Sequence, residues 1–184
     1  MKTIGMLLSL ILLLTSCKKD ELSALPPATQ EGKGTAGCLV NGKAWTPEYR
    51  VLLGMGGSNA PFVTSWYPSA SGRSFYVVLS RVNEEENSEV YFFLPHIRQP
   101  GTFLLNQEAN PMMTSSNPPY GEYRATRYSS VCYTNPTAMG SLTITRFDTV
   151  AKVVSGTFEM HPVNAEGQVE SITQGRFDLP LDIN

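Results

Sequence analysis

The sequence predicts an all-β domain, an antiparallel β-sandwich of jelly-roll-like type, with a partly closed β-barrel as the alternative. Three observations carry this. After residue 17 the apolar runs are short, rich in β-branched and aromatic residues, and bounded by turn residues. Asn41-Gly42 stands between two such runs, and a two-residue type I′ turn needs positive φ at both central positions. No later stretch has the apolar period of an amphipathic helix, so about ten to twelve strands must close a core among themselves. The 184 residues are 41% hydrophobic and 16% charged, a composition that excludes a disordered or coiled-coil chain. A net charge of -2 leaves no basic footprint for nucleic acid.

The first element is an address. Lys2 is followed by an apolar run of eleven residues, Ile4 to Leu14. As a helix it would span roughly 16 Å, about half of a ~30 Å hydrocarbon core, which suits a signal peptide better than a membrane span. Leu14-Thr15-Ser16-Cys17 then resembles a bacterial lipobox, in which the cysteine thiol takes a diacylglycerol and becomes the new N-terminus. That resemblance implies a signal peptide over residues 1–16 and a lipid anchor with amide-linked acyl chain on Cys17. Two anchoring signals hold far better than one marginal acyl chain. Lys18-Lys19-Asp20-Glu21 is similar to the short export tag of Bacteroidetes surface lipoproteins, the alternative being an ordinary solvated linker; the expected location is the outer membrane, facing the periplasm or the cell surface.

Residues 17–37 read as the lipidated N-terminus and a flexible tether, because Pro26-Pro27, Gly32, Gly34 and Gly37 break regular structure. A twenty-residue coil would hold the domain roughly 25 Å from the bilayer. Residues 38–184 form the single domain. Once Cys17 is acylated, Cys38 and Cys132 are the cysteines left, and export favours disulfides. A Cys38–Cys132 bridge would close a loop of 94 residues, stabilising by at most ~4–5 kcal/mol, the alternative being two separate buried thiols.

The strands follow in order. Cys38-Leu39-Val40 and Lys43-Ala44-Trp45 flank the Asn-Gly turn, with Cys38 opposite Trp45. Phe75, Val77 and Leu79 alternate with Tyr76, Val78 and Ser80, and Glu89 to Leu94 returns across an acidic loop. Leu142 and Ile144 interleave with threonines, and Val154, Gly156, Phe158 and Met160 share a face. Asn164 to Gly167 turns the chain, Gly175 permits a bulge, and Phe177, Leu179 and Leu181 close the pattern, with Pro180 marking an edge or an end. Phe158 and Phe177 should face the core, with Glu159 and Asp178 facing water.

A family resemblance now becomes visible. Leu25-Pro26-Pro27-Ala28-Thr29-Gln30 and Gly37-Cys38-Leu39-Val40-Asn41-Gly42-Lys43-Ala44-Trp45-Thr46-Pro47 resemble the opening of a Bacteroidetes outer-membrane lipoprotein family of unknown function. Ser155-Gly156-Thr157-Phe158 and Ile172-Thr173-Gln174-Gly175-Arg176-Phe177-Asp178 resemble its closing signature. The resemblance covers about a third of the chain and implies an exported all-β lipoprotein without catalytic residues to carry over.

Chemistry is thinly supplied. His96 and His161 are the only imidazoles; each adjoins a proline and reads as a surface or turn residue. Neither His-x-His nor HExxH spacing is present, so no metal or other cofactor is expected. Gly54-Met55-Gly56-Gly57-Ser58 lacks the Lys-Ser/Thr ending of a phosphate loop. Glu84, Glu85, Glu86 and Glu89 read as a solvated hairpin tip rather than glycosidase acids, which need a cleft between them.

One stretch stands out. Tyr120, Tyr123, Tyr128 and Tyr133 lie within fourteen residues, with Arg124 and Arg127 among them. Tyrosine offers a flat apolar face with a polar tip, and arginine a forked donor, a pairing suited to a sugar ring or protein surface. The competing reading is strand packing, where tyrosine is simply favoured. The expected function is therefore a membrane-anchored, non-enzymatic binding or accessory module for a glycan or an envelope protein. The alternative is an envelope-associated hydrolase acting on glycans.

Overall fold

The computed structural model describes residues 21–49, 60–69, 72–83, 86–110, 117–125 and 131–184. Twelve strands are present among them: β1 (Thr35–Val40), β2 (Lys43–Trp45), β3 (Glu48–Tyr49), β4 (Phe62–Ser69), β5 (Gly72–Val82), β6 (Asn87–Pro95), β7 (Gly101–Leu105), β8 (Tyr120–Ala125), β9 (Cys132–Tyr133), β10 (Gly140–Asp148), β11 (Val153–Met160) and β12 (Ile172–Pro180). They form two sheets that pack as a sandwich. The first runs β2-β1-β12-β11-β10-β7, and the second runs β3-β5-β6-β8-β9, with β4 also paired to β5. Every pairing is antiparallel except the short parallel contact of β3 with β5. Isolated bridges Trp66–Ile183 and Tyr133–Val163 join segments across the two flanks, but among the described residues no ladder closes a barrel.

Period-two alternation explains the core. Inward side chains of the second sheet are Phe75, Val77 and Leu79 from β5, Val90, Phe92 and Leu94 from β6, and Tyr123 from β8. They meet Cys38, Leu142, Ile144, Val154, Phe158 and Phe177 of the first sheet. Phe158 and Phe177 are buried and their rings lie 6.4 Å apart. The Asn41-Gly42 turn has the two positive φ values that a type I′ turn requires, 52° and 79°, and Cys38 pairs opposite Trp45 as the turn dictates. The acidic loop joins β5 to β6, with Val82 opposite Asn87.

Two expectations need correction, and two readings of β12 are sharpened. No disulfide joins Cys38 and Cys132. Both are buried thiols, but Cys38 pairs with Trp45 in the first sheet and Cys132 with Tyr123 in the second. Burial pushes the Cys38 thiol up to about 12 against the opposing charge of Arg176, so it stays protonated and inert. The bulge in β12 places positive φ on Gln174 (54°), not on Gly175. Gly175 serves packing instead, since a Cβ there would lie 2.3 Å from the Phe158 ring. Of the two readings of Pro180, the end is the one observed: β12 stops at Pro180 and is an interior strand.

The second correction concerns Asp178 and residues 21–34. Asp178 does face away from Phe177, as alternation requires, yet it is 1% exposed because the chain before β1 lies over it. Its carboxylate accepts hydrogen bonds from the Thr29 hydroxyl (2.6 Å), the backbone N–H groups of Glu31 (3.0 Å), Gly32 (2.6 Å) and Lys33 (3.3 Å), and the Ser155 hydroxyl (2.8 Å). Leu25 is buried against Gly37, and the Arg146 guanidinium donates to the Gln30 carbonyl. At the other end Glu21 accepts a 2.6 Å hydrogen bond from the Ala44 N–H. From Glu21 onward the expected tether is a strap fastened to the first sheet. Residues 1–16, Cys17, Gly54 to Ser58, Glu84, Glu85, Arg127 and Tyr128 lie outside the described residues.

Candidate functional site

The outward face of the second sheet gathers the tyrosines. Register sets Ser74 opposite Tyr67, Phe93 opposite both Tyr76 and Tyr120, and Glu122 opposite both Tyr91 and Tyr133. All of these alternate with core residues, so they share the solvent side of β4, β5, β6, β8 and β9. The rings touch in sequence: Tyr67–Tyr76 at 5.8 Å, Tyr76–Tyr91 at 6.1 Å and stacked at 21°, Tyr91–Tyr120 at 5.7 Å, and Tyr120–Tyr133 at 6.4 Å. Phe93 packs on Tyr120 at 5.7 Å. Tyr67, Tyr76, Tyr91 and Tyr133 are half-buried, whereas Phe93 and Tyr120 are buried beneath their neighbours. Cross-strand aromatic pairs of this kind each stabilise by ~0.2–1 kcal/mol, so the row is rigid before anything meets it.

Electrostatics focus on Glu122. It is 6% exposed, and burial raises its carboxyl above the usual range despite the Arg124 guanidinium 2.6 Å away; Glu89 adds to the rise. Arg124 reaches solvent and is held charged against its own desolvation by Glu122. Burial pushes Tyr120 up to about 12, partly offset by the hydroxyl of Tyr91, which donates to it. The Tyr91 phenol is raised by burial and by the Tyr120 oxygen. The face therefore presents phenol tips, apolar ring faces and the Arg124–Glu122 pair.

The predicted segment is thus divided. Tyr120, Arg124 and Tyr133 join the outward face, while Tyr123 is fully buried in the core. Sequence reasoning missed Tyr67, Tyr76 and Tyr91, because only the sheet order brings them beside Tyr120. It also missed Glu122, although the two-residue spacing Tyr120-Glu122-Arg124 carried the signal. His96 and His161 are both exposed. Among the described residues no group of three His, Cys, Asp or Glu side chains is placed to hold a metal ion.

A concavity of about 500 Å³ lies on the outer face of the first sheet. The strap's Ala28 borders it on one side, and Thr143, Thr157, Glu159, Gln174 and Arg176 line its floor. It carries hydroxyls and one charge of each sign, and its one aromatic lining residue, Phe158, is buried. Compared with family models, curated proteins and solved structures, the chain matches none.

Proposed function

We propose that this chain is an exported lipoprotein of the outer membrane, anchored through Cys17, whose second sheet binds a glycan without chemical turnover. The observation that carries the binding is the five-tyrosine row with Glu122 and Arg124 at its edge. A sugar ring offers an apolar C–H face to the tyrosine rings and hydroxyls to the phenol tips and the charged pair. Rigid aromatics gain contact area at small entropy cost, so a shallow face binds usefully. The anchor rests on the lipobox-like Leu14-Thr15-Ser16-Cys17, and membership of the Bacteroidetes lipoprotein family rests on the opening and closing motifs. A jelly-roll-like topology is the finer reading of the sandwich: first strand beside last supports it, and the β10–β12 meander within one sheet is where it departs. An array of envelope and host oligosaccharides tests the binding. Retention of at least one glycan class supports the proposal, and a blank array removes it.

One observation favours the hydrolase reading. Glu122 has the raised carboxyl of a general acid, and Glu89 on the adjoining strand is close enough to contribute to the rise. Release of reducing sugar from an array-positive glycan, abolished by Glu122→Gln, would establish it. Binding without release leaves the non-enzymatic reading in place.

A further inference from the structure

We propose that the end of the sandwich carrying the β1–β2 turn rests on the bilayer surface, so that the domain stands on the membrane instead of hanging from a long tether. This rests on the reading that Cys17 carries the lipid. Three residues separate Cys17 from Glu21, and Glu21 is fixed to Ala44 of β2 by its 2.6 Å hydrogen bond. Four Cα steps reach at most about 14 Å, of which the headgroup layer takes roughly 5–8 Å. The strap then runs away from that end to Asp178, and β1 returns towards it. The anchor and the β1–β2 turn therefore share one end of a sandwich whose nine-residue strands are about 30 Å long.

The exposed apolar side chains support the same orientation independently. Among the described residues seven large hydrophobics are exposed, and four of them, Leu22, Tyr49, Met139 and Val169, sit at this end. Leu22 adjoins Glu21, and Tyr49 pairs with Val82 beside the β5–β6 loop. Met139 immediately precedes Gly140, which pairs with Met160 where β11 ends. Val169 lies in the connection that starts β12, next to Glu170, which accepts a 2.7 Å hydrogen bond from Asn41. Val150, at 93% exposure, marks the opposite end, in the β10–β11 turn. Such residues gain by burial at the headgroup boundary, and Lys18 and Lys19 between anchor and domain add attraction to anionic lipid. The row of tyrosines then stands on the flank of the sandwich, clear of the lipid and open to a laterally presented ligand.

The test uses the lipidated protein extracted from membranes and returned to vesicles that carry headgroup spin labels. Fluorophores are placed at Val169→Cys and, separately, at Val150→Cys; Cys38 and Cys132 are fully buried and do not compete. Quenching several-fold stronger at position 169 than at 150 is the expected result. Equal quenching, or stronger quenching at 150, on protein whose intact mass shows an acylated Cys17 overturns the orientation alone. A mass showing unmodified Cys17 overturns the anchor and the orientation with it.

Discussion

At the scale of single residues, Asp178 ties the strap to the first sheet. Five donors converge on one carboxylate, three of them backbone N–H groups of the strap. Asp178→Ala would leave several buried donors without a partner at ~1–3 kcal/mol each, so a loss of about 3 kcal/mol or more is expected by chemical denaturation. Limited proteolysis should then cut between residues 21 and 34, where the wild type resists. The buried thiols make a second residue-scale prediction. Alkylation after unfolding without reductant should add an adduct at both Cys38 and Cys132, and Cys38 should resist the reagent in the native state. A bridged peptide in that digest would contradict the structure. Phe177→Ala, which empties the core space beside Phe158 and over Gly156, should cost ~3–5 kcal/mol.

At the scale of elements, turn chemistry was legible and long-range covering was not. Asn41-Gly42 set a hairpin whose observed register follows from the φ values that only such residues tolerate cheaply. Gly42 has open space around its Cβ position, so Gly42→Ala tests conformation alone and should cost ~1–2 kcal/mol in thermal unfolding. The alternation around Phe158 and Phe177 also survived in the structure. The strands β4 and β7 were not read, since Pro68 interrupts the first and the second is a five-residue edge with an exposed Leu104. The strap was missed for a deeper reason. Its Pro and Gly content rules out a helix or strand, but says nothing about whether its backbone N–H groups find a distant carboxylate. Alternation assigned Asp178 to the right side of the sheet, and only tertiary structure decided that chain rather than water lies there. The tyrosine face was half legible on the same grounds: Tyr120, Glu122 and Arg124 share a face by local spacing, while Tyr67, Tyr76 and Tyr91 arrive through strand order.

At the scale of the whole molecule, the strap ties stability to pH. Burial alone would raise the Asp178 carboxyl, but the Thr29, Glu31, Gly32 and Ser155 donors outweigh it and hold the group well below its usual range. A carboxyl lowered on folding contributes stability that is fully present above its unfolded value near ~3.9 and lost as pH falls through the folded one. The wild-type denaturation midpoint should therefore fall on acidification below about pH 4, and Asp178→Asn should flatten that part of the profile.

The two outer faces of the sandwich give the binding account its sharpest comparison: half-buried tyrosines on one side, and hydroxyls beside the strap on the other. The decisive measurement is a calorimetric titration of an array-positive oligosaccharide into wild type, Tyr76→Ala/Tyr133→Ala, and Thr143→Ala/Thr157→Ala, with melting temperatures recorded for each. Truncating two rings of the row should weaken binding at least about tenfold, ~1.4 kcal/mol, with the melting temperature lowered only slightly. The threonine pair should bind as wild type does. Undiminished binding in the tyrosine variant, or loss confined to the threonine variant, would contradict the assignment of the second sheet as the ligand face.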